Sequence, residues 1–221
     1  PQDYIINNFF YQGLFPSNAS ANAVNQQSTN QMQFTGVNAH LLDRKSEGHL
    51  LELQLGNEFR KDKLITIFSL LEDNLVLEQP KNYQNQTNYQ VNDLYVKSKY
   101  RYKIDKFSVT GQLDAHQLFN RLENNNSVSN QRLFFINPSI GFDWEINNKN
   151  KITSSYFYNT TNAKVLDVFS NYVLTGYRSF SKGTGSFNQL DASNIIFNYQ
   201  FGNWSDRFFA NTFFILNKNH D

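Results

Sequence analysis

The residues able to do chemistry in this chain are few and poorly grouped. Histidine occurs four times, at His40, His49, His116 and His220, and no pair has the H-x-x-x-H spacing that presents two ring nitrogens to one metal ion. There is no cysteine, which removes thiolate ligands, thiol nucleophiles and disulfides together. The run Ser181-Lys182-Gly183-Thr184-Gly185-Ser186 is rich in glycine but lacks the G-x-x-x-x-G-K-[ST] order that cradles phosphates, and it reads as a flexible loop. A G-x-S-x-G nucleophile turn is absent and the carboxylates are scattered. No cofactor, no metal and no enzymatic activity are expected from these patterns. With a net charge of +1, nucleic acid is not an expected partner either.

One charged feature has a direction. Lys97, Lys99, Arg101 and Lys103 occupy alternate positions, so on a β-strand all four project to one side. Two readings are open: a row that draws anionic solutes or a neighbouring domain, and a solvated wall balanced by Asp114 and its neighbours. A second candidate is the polar stretch 160–189, whose Tyr172, Tyr177, Arg178 and Phe180 could contact a ligand outside a rigid wall. His116, which alternates with Asp114, reads as an ordinary side chain of the polar face.

The element that must carry the cation row is a strand. Leu94, Val96, Ser98, Tyr100, Tyr102 and Ile104 alternate with the cations, giving one apolar and one cationic side. After Asp105-Lys106 the alternation resumes with Phe107, Val109, Gly111, Leu113 and Ala115. A two-residue hairpin pairs the residues flanking its turn, which sets Ile104 opposite Phe107 and Lys97 opposite Asp114, a favourable cross-strand pair. Similar patterns predict strands within 32–42, 50–71, 138–146, 152–158, 190–201 and 208–216, with a further one at 4–15.

The connections between these segments alternate in length: short at 45–48, long at 72–92, short at 105–106, long at 121–131, short at 147–150, long at 160–189, short at 202–206. All long loops would then leave one end of the sheet, as in outer-membrane barrels. The 94–104 and 107–117 segments match the roughly 9–11 tilted residues that cross a bilayer. Tyr100, Tyr102, Trp144 and Trp204 gather toward the short-turn end, as interface aromatics do. A mean hydropathy of −0.58 with 16% aromatic residues fits a wall in which only alternate side chains meet lipid. The fold class expected is therefore all-β: part of an antiparallel, up-and-down transmembrane β-barrel wall of about nine strands in one domain spanning 1–221. An odd strand count and a start at Pro1 without a leader pattern both suggest a piece of a larger barrel.

Two segments carry a family resemblance. Asn171-Tyr172-Val173-Leu174-Thr175-Gly176-Tyr177-Arg178-Ser179-Phe180 with the following Ser181–Leu190, and Phe197-Asn198-Tyr199-Gln200-Phe201-Gly202-Asn203-Trp204-Ser205-Asp206-Arg207-Phe208-Phe209-Ala210-Asn211, resemble Bacteroidetes outer-membrane β-barrels of the TonB-dependent receptor type. The resemblance is strongest over 163–221. It implies a bacterial outer-membrane location, outer-membrane lipid around the wall, uptake of an unknown solute, and a plug domain acting with the TonB energy-coupling complex. This sequence contains no plug. A structural or adhesion barrel that binds a partner through its long loops, and a soluble all-β carbohydrate-binding module, are the competing expectations.

Overall fold

A computed structural model describes residues 2–5, 14–15, 18, 20–45, 48–125, 127–176 and 179–220. The chain forms β1 (Gln2–Ile5), β2 (Ala23–Arg44), β3 (Leu50–Glu72), β4 (Leu75–Glu78), β5 (Asn85–Ile104), β6 (Phe107–Asn124), β7 (Ser127–Asn147) and β8 (Asn150–Asn162). These are followed by a single helical turn, α1 (Val165–Val168), and by β9 (Val173–Gly176), β10 (Ser179–Ser181), β11 (Gln189–Phe201) and β12 (Ala210–His220). The main sheet is antiparallel throughout and runs in the order β1-β2-β3-β5-β6-β7-β8-β11-β12, with β4 added to β3; β9 and β10 form a separate pair. Chain neighbours are sheet neighbours, so the fold is the expected up-and-down meander, with nine strands along its pairing path. Among the described residues no ladder joins β12 back to β2, so the sheet has two open edges.

The register is the one the alternation demands. Ile104 pairs with Phe107 and Lys97 with Asp114, and the same phase continues to Phe107 opposite Trp144 on β7. Because side chains alternate between faces, matched registers sort the whole sheet. One face carries Val37, Leu55, Val96, Leu113, Ile140, Tyr156, Ile195 and Phe214 across successive strands; the other carries the cation row and most of the uncharged polar groups.

Two expectations about the connections are corrected. Residues 121–131 are not a long loop: β6 and β7 meet at a two-residue turn after Asn124, which pairs with Ser127. Asn125 supplies the left-handed backbone (φ 44°) that such a turn needs, and its side-chain oxygen accepts from the Gln86 N–H. The strands are also longer than a bilayer requires, 18 to 23 residues in β2, β3, β5, β6 and β7. Their upper halves, rich in Asn, Gln and Thr, are polar on the face that is apolar below, so they carry a weak strand signal in sequence. The strand expected over 32–42 accordingly begins earlier, and 23–31 belongs to β2. Of the strand expected over 4–15, residues 6–13 lie outside the described residues.

At the opposite end the connections are short, as expected. Asp105 (φ 47°) turns β5 into β6. Asn147 closes the β7–β8 turn by accepting at Oδ1 from the N–H groups of Lys149 and Asn150, both at 2.9 Å. Gly202 opens the last turn at φ +75°, where an added Cβ would lie 2.4 Å from the Phe208 carbonyl oxygen. Gly202→Ala is therefore expected to destabilise the protein by about 1–3 kcal/mol, read as a lower denaturation midpoint.

Candidate functional site on the polar face

The polar face has two halves that differ in what lies on them. Over the upper half, beyond the level of Leu94, the long connection 163–188 folds back onto the sheet. Its Val165, Val168 and Phe169 pack with Leu64, Tyr89 and Leu122 from β3, β5 and β6. Its Leu174 joins Phe15, Val24, Phe68 and Leu70 in a second buried cluster. The connection starts on β8 and reaches β2 at the far side of the sheet, so it works as a strap across the polar face.

Amide side chains fasten this strap. Gln26, buried on β2, donates from Nε2 to the Leu174 carbonyl and accepts at Oε1 from the Leu174 N–H, both at 2.8 Å. The side chain thereby imitates one rung of a β-ladder. Asn85 on β5 accepts from the Asn171 N–H at 2.9 Å and donates to Thr66 Oγ1 at 2.9 Å. Asn124 on β6 donates to the Val168 carbonyl at 3.0 Å while accepting from the Thr87 hydroxyl at 2.7 Å. Buried backbone groups must be paired, and a strap without a full strand of its own satisfies them through these side chains. Within the strap, Asp167 accepts from the Lys164 N–H at the start of α1, and its carbonyl accepts from Thr184.

This placement sorts the four expected loop contacts. Phe180 packs edge-on against Phe68 and Tyr83, with ring centroids 5.8 and 5.2 Å away, so its ring is a docking contact of the strap. Tyr172 keeps one side toward solvent, faces Tyr83 at 5.4 Å and has the Lys182 ammonium 5.4 Å from its ring centroid. Tyr177 and Arg178 lie outside the described residues.

Below the strap the polar face is open and carries the cation row. The expected Lys97–Asp114 pairing holds as a register, but it is not an ion pair: among the described residues no carboxylate lies within 4.0 Å of Lys97, Lys99, Arg101 or Lys103. Asp114 accepts instead from Gln112 Nε2, at 2.9 and 3.1 Å to its two oxygens. Glu52, opposite Lys99, is held by His40 at 3.0 Å. The Lys97 ammonium sits 4.7 Å from the Tyr95 ring centroid, and Arg101 donates to the Ser108 hydroxyl at 3.3 Å.

Between strap and cations lies a cluster that pattern reading did not single out. The Tyr95 ring covers Gly56, where a Cβ would come within 2.5 Å of it, and the Tyr95 hydroxyl donates to Glu58 at 3.4 Å. His116 pairs through Nδ1 with Asp93 at 2.9 Å and stacks on Phe135 with centroids 4.9 Å apart. The His116–Asp93 contact is one diagonal step from the Tyr95–His116 register pair, so extending the hairpin register would have found it. The Gly56–Tyr95 contact carries no comparable local signal. Among the described residues no group of three or more His, Asp or Glu side chains converges to hold a metal ion.

The four aromatic residues expected at an interface fall on the apolar face and in the last turn. Tyr100, Tyr102 and Trp144 lie on the apolar face near the short turns and are exposed. Trp204, in the last turn, is 89% exposed and stacked on Phe209 at 4.7 Å. A second aromatic level, Phe59 and Phe119 with Phe134 just below, closes the upper border of the apolar belt, and the Arg132 guanidinium lies 5.9 Å from the Phe119 ring centroid. Lys61, Lys63, Arg121 and Glu123 follow immediately above on the same face. Comparison with protein-family models and with curated proteins returns no match. The class that fold and site define is thus an all-β, antiparallel, up-and-down sheet with one polar face strapped and, among the described residues, one apolar face left uncovered.

Gln26→Leu leaves the Leu174 N–H and carbonyl unpaired in the interior. It is expected to cost about 1–3 kcal/mol and to speed proteolytic cleavage within 163–188 several-fold, read by limited proteolysis. A second expectation concerns Tyr89, which lies above the apolar belt. Burial, then the nearby Asp62 carboxylate, pushes its hydroxyl up to about 12. The unfolded chain releases that proton near pH 10, so the Tyr89 contribution is fully present below pH 10 and is lost as pH rises from 10 through 12. Tyr89→Phe should remove about 2 kcal/mol of this alkaline loss between pH 9 and pH 11.5, measured as a smaller fall in denaturation midpoint.

Proposed function

We propose that this chain forms part of the wall of a bacterial outer-membrane β-barrel that passes a solute, with its apolar face toward lipid and its polar face toward the lumen. The observation that carries the reading is the apolar belt. It spans every long strand, many of its large side chains are exposed, Leu55, Val96, Leu113 and Ile140 among them, and among the described residues nothing packs over it. A soluble sheet of this pattern buries its apolar face under a second layer. The belt reaches from the Tyr102 level to the Asn92–Phe119 level. Ten residues at about 3.3 Å, tilted about 40°, give a height of about 25 Å, the thickness of a barrel's lipid-facing band. Aromatic residues border the belt on both sides and charges begin directly above it, as an interface requires.

Lipid does not tolerate open edges, so the reading requires β2 and β12 to pair with further strands. The strap bears on how many. An eight-stranded barrel has an interior just wide enough for its own side chains. The eight long strands here would leave no room for 163–188 if β12 closed on β2, and the proposed wall is accordingly wider. The uptake part of the proposal draws on the resemblance of 171–190 and 197–211 to TonB-dependent receptors, in which a plug domain and the TonB complex couple energy to the passage of a bulky nutrient.

The absence of cysteine makes single-cysteine scanning direct. In detergent-refolded protein moved into liposomes, cysteines at Leu94, Val96 and Leu113 should be shielded from a membrane-impermeant thiol reagent and accessible to a lipid-soluble quencher. Cysteines at Gln112 and Thr110 should show the reverse. A chain that is folded and monomeric in detergent-free buffer would refute the proposal.

A further inference from the structure

We infer that the Lys97–Lys99–Arg101–Lys103 row is a binding ladder for solutes carrying carboxylate or phosphate groups; the inference rests on the polar face lining the lumen. The four cations lie on β5 at the level of the apolar belt, between Tyr95 and the Asp105 turn. At two residues per step they are about 6.6 Å apart and extend along about 20 Å of wall, most of the membrane thickness crossed by a tilted strand. A permeating anion would exchange its water for one cation after another without leaving the row.

What makes the row available is where the neighbouring carboxylates have gone. The adjacent strands place two acids against the four cations, Glu52 on β3 beside Lys99 and Asp114 on β6 beside Lys97. Both are engaged elsewhere: Glu52 by His40 at 3.0 Å and Asp114 by Gln112 at 2.9 and 3.1 Å. Beside Arg101 stand Leu50 and Thr110, and Lys103 faces Ser108, so the lower half of the row has no acid on either neighbouring strand. A concavity of about 220 Å³ opens at the upper end, lined by Glu52, Gln54, Lys97, Lys99, Gln112 and Asp114. Two ammonium groups line it, and Gln54, whose Nε2 makes one hydrogen bond to the Tyr95 hydroxyl at 3.4 Å, keeps a second N–H for an oxyanion. Rows of fixed charge of one sign bias permeation in the same sense.

The test uses the full chain refolded in detergent micelles and titrated calorimetrically at low ionic strength, with pyrophosphate in one arm and citrate in the other. Saturable binding of either is expected, the responding arm identifying phosphate or carboxylate as the preferred group. Lys97→Gln/Lys99→Gln should weaken binding at least about tenfold, while Lys97→Arg/Lys99→Arg stays within about threefold at unchanged strand content by circular dichroism. Glu52→Gln, which removes the acid beside Lys99, should tighten binding about threefold and serves if the lysine variants fail to fold. No saturable binding of either anion to the wild-type chain, equal binding by the Gln pair, or no gain in Glu52→Gln overturns the inference. If binding fails while the cysteine pattern holds, the ladder alone falls. If the chain is folded and monomeric without detergent, the membrane wall falls, and the titration is then read in that buffer.

Discussion

A period of two in side-chain polarity, held in phase across strands, governs this structure. A slip of one residue between β5 and β6 would move Lys97, Lys99, Arg101 and Lys103 onto the side now occupied by Val96 and Tyr100. It would also carry Leu94 and Ile104 onto the polar side. The slip would set four cations among apolar side chains, so the side-chain pattern as well as the backbone hydrogen bonds fixes the register of this hairpin. Each further strand inherits its phase from the one before it, which is why Phe107 meets Trp144 and Ile152 meets Tyr199 on the same side several strands away.

The same alternation changes meaning with height. Near the short turns it separates apolar from charged residues. Above the Asn92–Phe119 level it separates a side carrying Lys61, Lys63, Gln90, Arg121 and Glu123 from a mixture of buried amides and apolar groups on the other. The upper sheet can be this polar because the strap supplies what it lacks: Val165, Val168, Phe169 and Leu174 give Leu64, Phe68, Tyr89 and Leu122 an apolar partner. Long strands and the connection folded over the polar face therefore depend on each other. Strands that ended at the belt would offer the strap nothing to pack on, and without the strap the apolar residues on the upper polar face would stand in water.

How much of this was legible in the sequence follows from that division. The Leu94–Ala115 hairpin, its register and the short turns were readable because apolar and charged residues alternate there without interruption. The upper strand halves were not, since segments such as Gln26–Gln31 and Asn85–Gln90 combine turn-forming residues with no apolar period. For the same reason a two-residue turn at Asn125 passed for the middle of a long loop. The cation row was visible, but its lack of carboxylate partners was not: that depends on Gln112 reaching Asp114 on its own strand and His40 reaching Glu52 from the next. The strap's direction lay beyond sequence reading, because Gln26 and Leu174 are 148 residues apart.

The strap is tied by neutral groups and the ladder is made of charged ones, and these answer to different variables of the surrounding medium. Amide-to-backbone hydrogen bonds of Gln26, Asn85 and Asn124 involve no ionisable partner, so neither dissolved salt nor acidity between mild extremes alters their strength. The attraction of an ammonium row for a dissolved anion weakens as counter-ions shorten the screening length. The chain thus keeps one geometry across dilute and saline surroundings while the pull of its cation-bearing face rises and falls with them.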